Sequence, residues 1–234
     1  MQPDRRDRRR LETREEIKDT ARALLAEQGA AGLSLRAIAK RMGMTAPGLY
    51  HYFGSINDLI TALILDAFTQ LAEAVEKADA DVASRGGAER LAAVAHAWRR
   101  WALDHPIDFQ LLYGNPIPTY EQPTDTTYPA ARRSFLVTAN IFAQAIERGE
   151  IDLPEEYRCL PPEIERSLDT LTGVQGHDLP RHALYLAAIS WARLHGHIML
   201  ELFHLIQPVI GDVDALFDHE VQALIRQVGF APTE

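Results

Sequence analysis

The chain has 234 residues, of which 47% are hydrophobic and 24% are charged, so it can bury a sizeable core. Its single cysteine, Cys159, excludes an internal disulfide and favours a reducing cytoplasm. No apolar segment follows the N-terminal arginines, which excludes a secretory signal in this sequence. The formal net charge of −9 argues, taken alone, against DNA as a partner.

The charge is unevenly distributed along the chain. Residues 1–60 hold eleven Lys or Arg against eight Asp or Glu, whereas residues 61–234 hold thirteen against twenty-five. Because DNA is a polyanion, it attracts the first part and repels the second. The distribution predicts a two-part molecule whose basic N-terminal part docks on DNA.

The basic character is strongest at the N-terminus, where residues 4–10 contain five arginines and two aspartates. This segment is too poor in apolar residues to fold by itself, so residues 1–10 are predicted to be a disordered arm. Such arms follow the phosphate backbone or enter the minor groove. A solvated tail without function is the alternative.

Three short helical patterns follow the arm. Thr13 and Glu16 have the spacing of a capping box, and an apolar stripe then runs to Gly29. Residues 33–53 contain two helical patterns separated by a break at Gly43, the arrangement of a helix-turn-helix. Gly43 is expected to adopt a left-handed conformation. Ser34 and Thr45 are predicted to cap the two helices.

These patterns resemble the DNA-binding region of the tetracycline-repressor (TetR) family of bacterial regulators. The resemblance runs from about Thr13 to Leu59, with Ser55 and Asp58 indicating the start of a fourth helix. It implies a homodimer that binds a palindromic operator in double-stranded DNA. One position departs from the family pattern, because Ile56 stands where the family usually has a phosphate-binding lysine.

The family resemblance also assigns DNA contacts to individual positions. The helix over residues 45–53 should enter the major groove, with half-sites one or more helical turns apart. Side chains at the start of the preceding helix should hold phosphates or an edge base, and those of the recognition helix should face the bases or the flanking backbone. The predicted DNA-binding residues are Ser34, Arg36, Thr45, Ala46, Gly48, Tyr50, His51 and Tyr52.

The remainder of the chain is predicted to be helical, giving an all-α fold of about nine to ten helices. We divide it into a DNA-binding domain over residues 11–60 and an effector-binding and dimerisation domain over residues 61–234. Predicted helices cover residues 55–78, 88–104, 107–113, 130–147, 163–171, 180–206 and 212–228, with a proline-containing loop at 115–129 and a polar stretch at 149–162. In the resembling family, the fourth helix links effector binding to the spacing of the two DNA-reading heads.

Aromatic residues in the second domain could line an apolar cavity for an unknown small-molecule effector, as in the resembling family. A plain packed core is the alternative for each of them. The predicted pocket residues are Trp98, Trp101, Phe109, Tyr113, Phe135 and Phe142.

The helix predicted over residues 180–206 is apolar nearly all round, so it needs cover on more than one side. Its charged and histidine side chains argue against a membrane span, and a second copy of the chain is the expected cover. Trp191, His195 and Gly196 resemble a C-terminal subgroup of the family named for its Trp, His and Gly. The predicted interface residues are Trp191, His195, Met199, Leu202, Leu216 and Leu224.

Other functions remain as alternatives. His197, Glu201 and His204 lie at i, i+4 and i+7 and could bind a divalent metal, with hydrogen-bonded interface residues as the other interpretation. No nucleophile motif or phosphate-binding glycine loop indicates an enzyme. An architectural DNA-binding protein without an effector is the remaining alternative. The sequence predicts a cytoplasmic, ligand-responsive repressor without a cofactor, released from its operator by a small, largely apolar effector.

Overall fold

The structure is a computed structural model that describes residues 5–114, 117, 120–175 and 179–231, without the side chains of residues 171–175. Within these residues it contains eleven α-helices and no β-strand, which confirms the all-α prediction. The helices are α1 Arg5–Gln28, α2 Leu35–Arg41, α3 Ala46–Tyr50, α4 Ile56–Asp81, α5 Gly87–Asp104, α6 Pro106–Tyr113, α7 Thr124–Glu147, α8 Glu155–Arg158, α9 Pro162–Gln175, α10 Arg181–Leu202 and α11 Val213–Gln227. No helix in the described part of the chain is long and apolar enough to cross a membrane.

The chain divides into two compact units. The first comprises the described residues of Met1–Phe68 and His105–Pro129, and the second those of Thr69–Asp104 and Ala130–Glu234. The first unit therefore includes α6, which the sequence placed in the second domain. The physical reason is that α6 packs on α1, where Asp108 forms an ion pair with Arg22.

The core of the first unit is a cluster of buried apolar side chains from α1 to α4. Its members are Ile17, Ala21, Leu24, Leu35, Ile38, Ala39, Leu49, Phe53, Leu59 and Leu63. Leu49 and Phe53, four residues apart, are both buried in this core. The helix-turn-helix is thus held by the burial of one stripe from each short helix.

The first helix begins earlier than the sequence predicted. It begins at Arg5, so the part of the predicted arm from Arg5 onward is helical and the Thr13–Glu16 pair lies inside α1. The remaining arm residues, 1–4, lie outside the described residues. Extending an existing helix avoids the cost of nucleation, and arginine has a high helix propensity, which explains the extension.

In the second unit, α5 packs against α10 and α11, and α10 also packs against α9. The buried side chains of this unit include Leu91, Val94, Ala95, Trp98, Trp101, Phe142, Leu186, Leu194, Phe217 and Val221. Phe142 stacks on Phe230 with 6.1 Å between ring centroids. The short α8 was not predicted.

Two further helix boundaries differ from the prediction. α7 begins at Thr124 and contains Pro129, so part of the predicted loop is helical. Its start is stabilised by the buried Thr127, whose hydroxyl donates to the Pro123 carbonyl at 3.0 Å and accepts from the Gln122 amide at 2.8 Å. α10 ends at Leu202, four residues before the predicted end, because His204 adopts a left-handed φ of 57°.

Candidate nucleic-acid interface

The two helices of the helix-turn-helix begin at the predicted caps. The Ser34 hydroxyl accepts a hydrogen bond from the Ala37 amide at 3.1 Å, and the Thr45 hydroxyl accepts one from the Gly48 amide at 3.2 Å. Accepting these bonds leaves each hydroxyl proton free to donate. Both side chains are exposed, so each cap can also donate to a phosphate or a base edge.

The turn between the helices closes in the way that the sequence predicted. Gly43 has a φ of 66°. Its amide donates to the Lys40 carbonyl at 3.3 Å, and the Met44 amide donates to the Ala39 carbonyl at 2.9 Å. This pair of bonds is a Schellman motif, which requires the left-handed residue. The turn fixes the direction in which α3 leaves α2.

The second helix of the motif, α3, is shorter than predicted, since it ends at Tyr50 rather than near Phe53. Tyr50 is 51% exposed, and Arg36 and His51 are exposed as well. Ala46 and Gly48 are partly exposed. The predicted base-facing and phosphate-facing side chains, Tyr52 excepted, therefore lie on the accessible surface of the unit.

Two of the predicted DNA-binding residues also have a structural role. The Tyr52 side chain is half-buried against the core cluster of the first unit. A Cβ at Gly48 would lie 3.1 Å from the Thr45 hydroxyl oxygen, so a larger residue would crowd the cap of α3. Ile56, which stands at the family's lysine position, likewise packs against this core.

An exposed ion pair joins α1 to α2. Both terminal nitrogens of Arg41 donate to the Glu27 carboxylate, at 2.6 and 2.7 Å. These hydrogen bonds lower the pKa of Glu27 and raise that of Arg41. The pairing neutralises Arg41, the last residue of α2.

A partly buried charge network lies between α1, α4 and α6, and no sequence pattern indicated it. Lys18 donates to Asp66, and Arg22 donates to Asp108 at 2.9 and 3.2 Å. Burial opposes the charged form of Arg22, but the bond to Asp108 and its negative charge outweigh this effect and raise the pKa of Arg22. Because Arg22 and Asp108 are 86 residues apart, local periodicity says nothing about their pairing.

Comparisons with known proteins identify this arrangement. The sequence model of the family described as "Bacterial regulatory proteins, tetR family" matches residues 17–63, and that of "Tetracyclin repressor-like, C-terminal domain" matches residues 91–224. The chain is 32% identical over 222 residues to the HTH-type transcriptional regulator Rv1816 of Mycobacterium tuberculosis, which covers 93% of this chain and 94% of that protein. The chain belongs to the TetR family.

Solved structures agree with this assignment. The regulatory protein SCO4313 has a TM-score of 0.77 and 36% sequence identity, over 93% of this chain and 97% of that chain. The regulator FadR from Bacillus subtilis, solved in complex with stearoyl-CoA, has a TM-score of 0.65 over 92% of this chain and 98% of that chain. At 15% identity, this second likeness shows the fold alone. The protein is a helix-turn-helix transcriptional regulator of the TetR family.

The six predicted effector residues of this TetR-family protein lie in different units. Trp98, Trp101 and Phe142 are buried in the second unit, where Phe135 is half-buried. Phe109 and Tyr113 belong to the first unit, where their ring centroids are 5.1 Å apart. The buried polar atoms of the second unit that have no hydrogen-bond partner within the described part of the chain include Trp98 Nε1 and Ser190 Oγ.

The predicted interface residues differ in exposure. Trp191 is 41% exposed, and His195, Met199, Leu202 and Leu216 are half-buried. Leu224 is only 2% exposed and packs in the core of the second unit, so it offers no surface to a partner. Additional apolar side chains on the surface, absent from the prediction, lie at the end of α10: Leu200, 45% exposed, and Phe203, 48% exposed.

The structure does not support metal binding by His197, Glu201 and His204. His204 lies beyond the end of α10, so it does not continue the face that holds His197 and Glu201. The Glu201 carboxylate accepts two hydrogen bonds from Arg99, at 2.6 and 2.7 Å. Among the described residues, no group of three or more His, Cys, Asp or Glu side chains is arranged to hold a metal ion.

Proposed function

We propose that this TetR-family regulator is a homodimeric repressor that binds a palindromic operator and is released by a small, largely apolar effector. The observation that carries the DNA-binding part is that the side chains of Thr45, Tyr50 and His51 are exposed, as are those of Ser34 and Arg36 at the start of α2. The net positive charge of residues 1–60 supports the same docking, because it favours phosphate contacts.

We assign the readout as follows. Ser34 and Arg36 contact phosphates or an edge base, and Tyr50 lies against the bases. Ala46 and Gly48 lack hydrogen-bonding side chains, so they suit contact with a thymine methyl or close approach of the backbone. Much of the specificity should then come from the shape and deformability of the duplex.

The dimer is supported by the exposed apolar side chains of α10. Trp191 and Leu200 are 41% and 45% exposed, which is unfavourable in water unless a partner covers them. Covering exposed apolar surface of the second unit with a second copy of the chain gives the twofold symmetry that a palindromic operator requires. We also propose that the chain belongs to the subgroup named for its Trp, His and Gly, because it contains Trp191, His195 and Gly196. We place the protein in the cytoplasm, where its DNA is.

The effector site is proposed for the second unit. Trp98 and Trp101 supply apolar surface, and the centroid of Trp98 lies 6.2 Å from that of His195. The buried indole N–H of Trp98 lacks an acceptor within the described residues, so a ligand with one acceptor oxygen and an apolar body would satisfy it. The neighbour solved with stearoyl-CoA, which shares only the fold, has a ligand with a long apolar chain and a thioester carbonyl.

An unbiased selection of bound duplexes from a random library tests this proposal. We expect one palindromic sequence to be enriched, and light scattering of the complex to give two chains per duplex. A strictly monomeric protein would contradict the proposal. Equal affinity for all duplexes at physiological salt would instead indicate an architectural DNA-binding protein.

The effector is tested separately, on the complex with the selected duplex. A series of acyl compounds of increasing chain length, each with a terminal carboxylate or thioester, is added to the complex. We expect release of the duplex at micromolar concentrations of at least one member, and a Trp98→Phe variant should need more of it because the indole donor is absent. Release that is equally sensitive in both proteins would exclude Trp98 as a hydrogen-bonding contact.

A further inference from the structure

The end of the recognition helix is held by a residue of α1. Arg14 Nη1 donates a hydrogen bond to the Tyr52 carbonyl oxygen at 2.9 Å. The guanidinium carbon of Arg14 also lies 4.1 Å from the centroid of the Phe53 ring. The sequence did not indicate this role, because the Thr13–Glu16 pair placed Arg14 at the start of a helix and gave it no partner.

The local backbone explains why this contact matters. Helix α3 has only five residues, which is too short to be stable by its own hydrogen bonds. After its end, the amides of Tyr52 and Phe53 both donate to the Leu49 carbonyl, at 2.9 and 3.2 Å. The Arg14 bond therefore adds a hydrogen bond from α1 to the chain two residues beyond the exposed Tyr50, next to the buried Phe53.

The surroundings of Arg14 favour a role inside the protein over a direct phosphate contact. Its side chain is half-buried, and the Phe53 ring beneath it is 1% exposed and belongs to the core cluster. A guanidinium on an aromatic face gains cation–π energy, which increases as the site loses water. Within the described residues no carboxylate forms an ion pair with Arg14, so the backbone carbonyl is its hydrogen-bonding partner.

We propose that Arg14 is a positioning residue for operator recognition: it orders the C-terminal end of α3 before DNA binds. Ordering a flexible backbone on binding costs conformational entropy, so a segment that is already ordered binds its target more tightly. Complexes with nonspecific DNA depend on phosphate charge instead, and they do not need a fixed recognition helix. This inference rests on the proposed operator binding.

The test compares Arg14→Met with Arg36→Met, the same substitution at an exposed arginine that we assign to a phosphate. Wild-type protein must first prefer the selected duplex over a scrambled one, and failure there would contradict the proposed function rather than this inference. We expect Arg14→Met to bind the selected duplex about tenfold more weakly, with unchanged affinity for the scrambled duplex and an unchanged salt slope. Arg36→Met should weaken both complexes and make the slope shallower by about one.

Two results would overturn the inference. An equal loss on both duplexes with a shallower slope would make Arg14 a phosphate contact, and unchanged binding to both would remove any role. If Arg14→Met loses helical circular dichroism, Arg14→Lys replaces it, because lysine keeps the charge and hydrogen-bond donors but not the planar stack. Wild-type affinity of a folded Arg14→Lys for the selected duplex would show that the planar stack on Phe53 is not needed.

Amide hydrogen exchange gives a readout that needs no DNA. In the free protein, we expect the amides of residues 50–54 to exchange faster in Arg14→Met than in wild type, and to exchange at the wild-type rate in Arg36→Met. Equal exchange in the two variants would contradict the positioning role, whatever the outcome of the DNA measurements.

Discussion

The two units of the chain place their candidate functional groups differently. In the first unit, Tyr50 and His51 lie on the surface, above a core made of apolar side chains. In the second unit, Trp98 and Ser190 are buried. A change to the first set should therefore alter binding with little effect on folding, whereas a change to the second set should affect stability as well.

The largest effect is expected at the buried ion pair of the second unit. It tests whether buried groups contribute more to stability than exposed ones. The side chains of Arg99 and Glu201 are 11% and 5% exposed, so Glu201→Gln removes the buried one of the two carboxylates that pair with this largely buried guanidinium. We expect a loss of about 3 kcal/mol in the free energy of unfolding, measured by urea titration. The matched control is Asp214→Asn, because Asp214 pairs with the same arginine but is 82% exposed. It should cost under about 1 kcal/mol.

Equal losses in these two variants would show that burial does not set the strength of the network. The expectation that changes to buried groups cost more stability than changes to exposed groups would then be wrong.

The next largest effect concerns the surface of the first unit. Tyr50→Ala removes a side chain that is 51% exposed and lies outside the core cluster. We expect the affinity for the selected duplex to fall at least about tenfold, while the free energy of unfolding changes by less than about 0.5 kcal/mol. Binding is measured by fluorescence anisotropy and stability by urea titration. Retained affinity would contradict the docking of α3, and a large stability loss would contradict the contrast between the units.

Helix ends show how much of the fold the sequence could predict. Gly43, Gly149 and Gly229 each adopt a positive φ after a helix, and glycine is the residue that indicates such an end. His204 makes the same closure after α10, where the amides of His204 and Leu205 donate to the carbonyls of Glu201 and Leu200. Histidine adopts this conformation much less often than glycine does, so the sequence indicated no helix end at this position and the predicted helix was too long.

The contacts that the sequence could not predict are those between distant residues. The helix-turn-helix depends on caps and apolar spacing within about twenty residues, and its helix starts agree with the prediction. The pairs Arg22–Asp108, Arg99–Glu201 and Arg14–Tyr52 join residues 86, 102 and 38 positions apart. Their formation depends on how the helices pack, which periodicity within one helix does not reveal.

A smaller effect is expected from deleting the basic arm. This prediction concerns the difference in charge between the basic N-terminal part of the chain and the acidic remainder. Deleting residues 1–10 removes five arginines. If the arm binds phosphates, the slope of log affinity against log salt should become shallower by about 0.9 for each phosphate that the arm neutralises. The slope is measured on the selected duplex between about 50 and 200 mM salt. An unchanged slope would make the arm a passive extension of α1.

The smallest expected effect is a pH dependence of stability, and it comes from the second unit. Burial lowers the pKa of His96, His195 and His197 below the ordinary value of 6.5, against the opposing charge of Asp218 in the case of His96. In the unfolded chain these groups take up protons as the pH falls through 6.5, whereas in the folded unit their lowered pKa moves this uptake to lower pH. Protons therefore favour the unfolded state, and the free energy of unfolding should fall between about pH 7 and pH 5.5.

Carboxylates with a lowered pKa do not change the stability in this pH range. The Arg193 hydrogen bond lowers the pKa of Glu220 below its ordinary 4.5, so that group loses its contribution only at lower pH. Urea titrations at several pH values measure the effect, and a His197→Gln variant should show a flatter profile because one of the three imidazoles is gone. The opposite result would be a free energy of unfolding that rises as the pH falls through this range. It would mean that the folded unit stabilises the charged form of these histidines, so burial would not be the dominant influence on their pKa values.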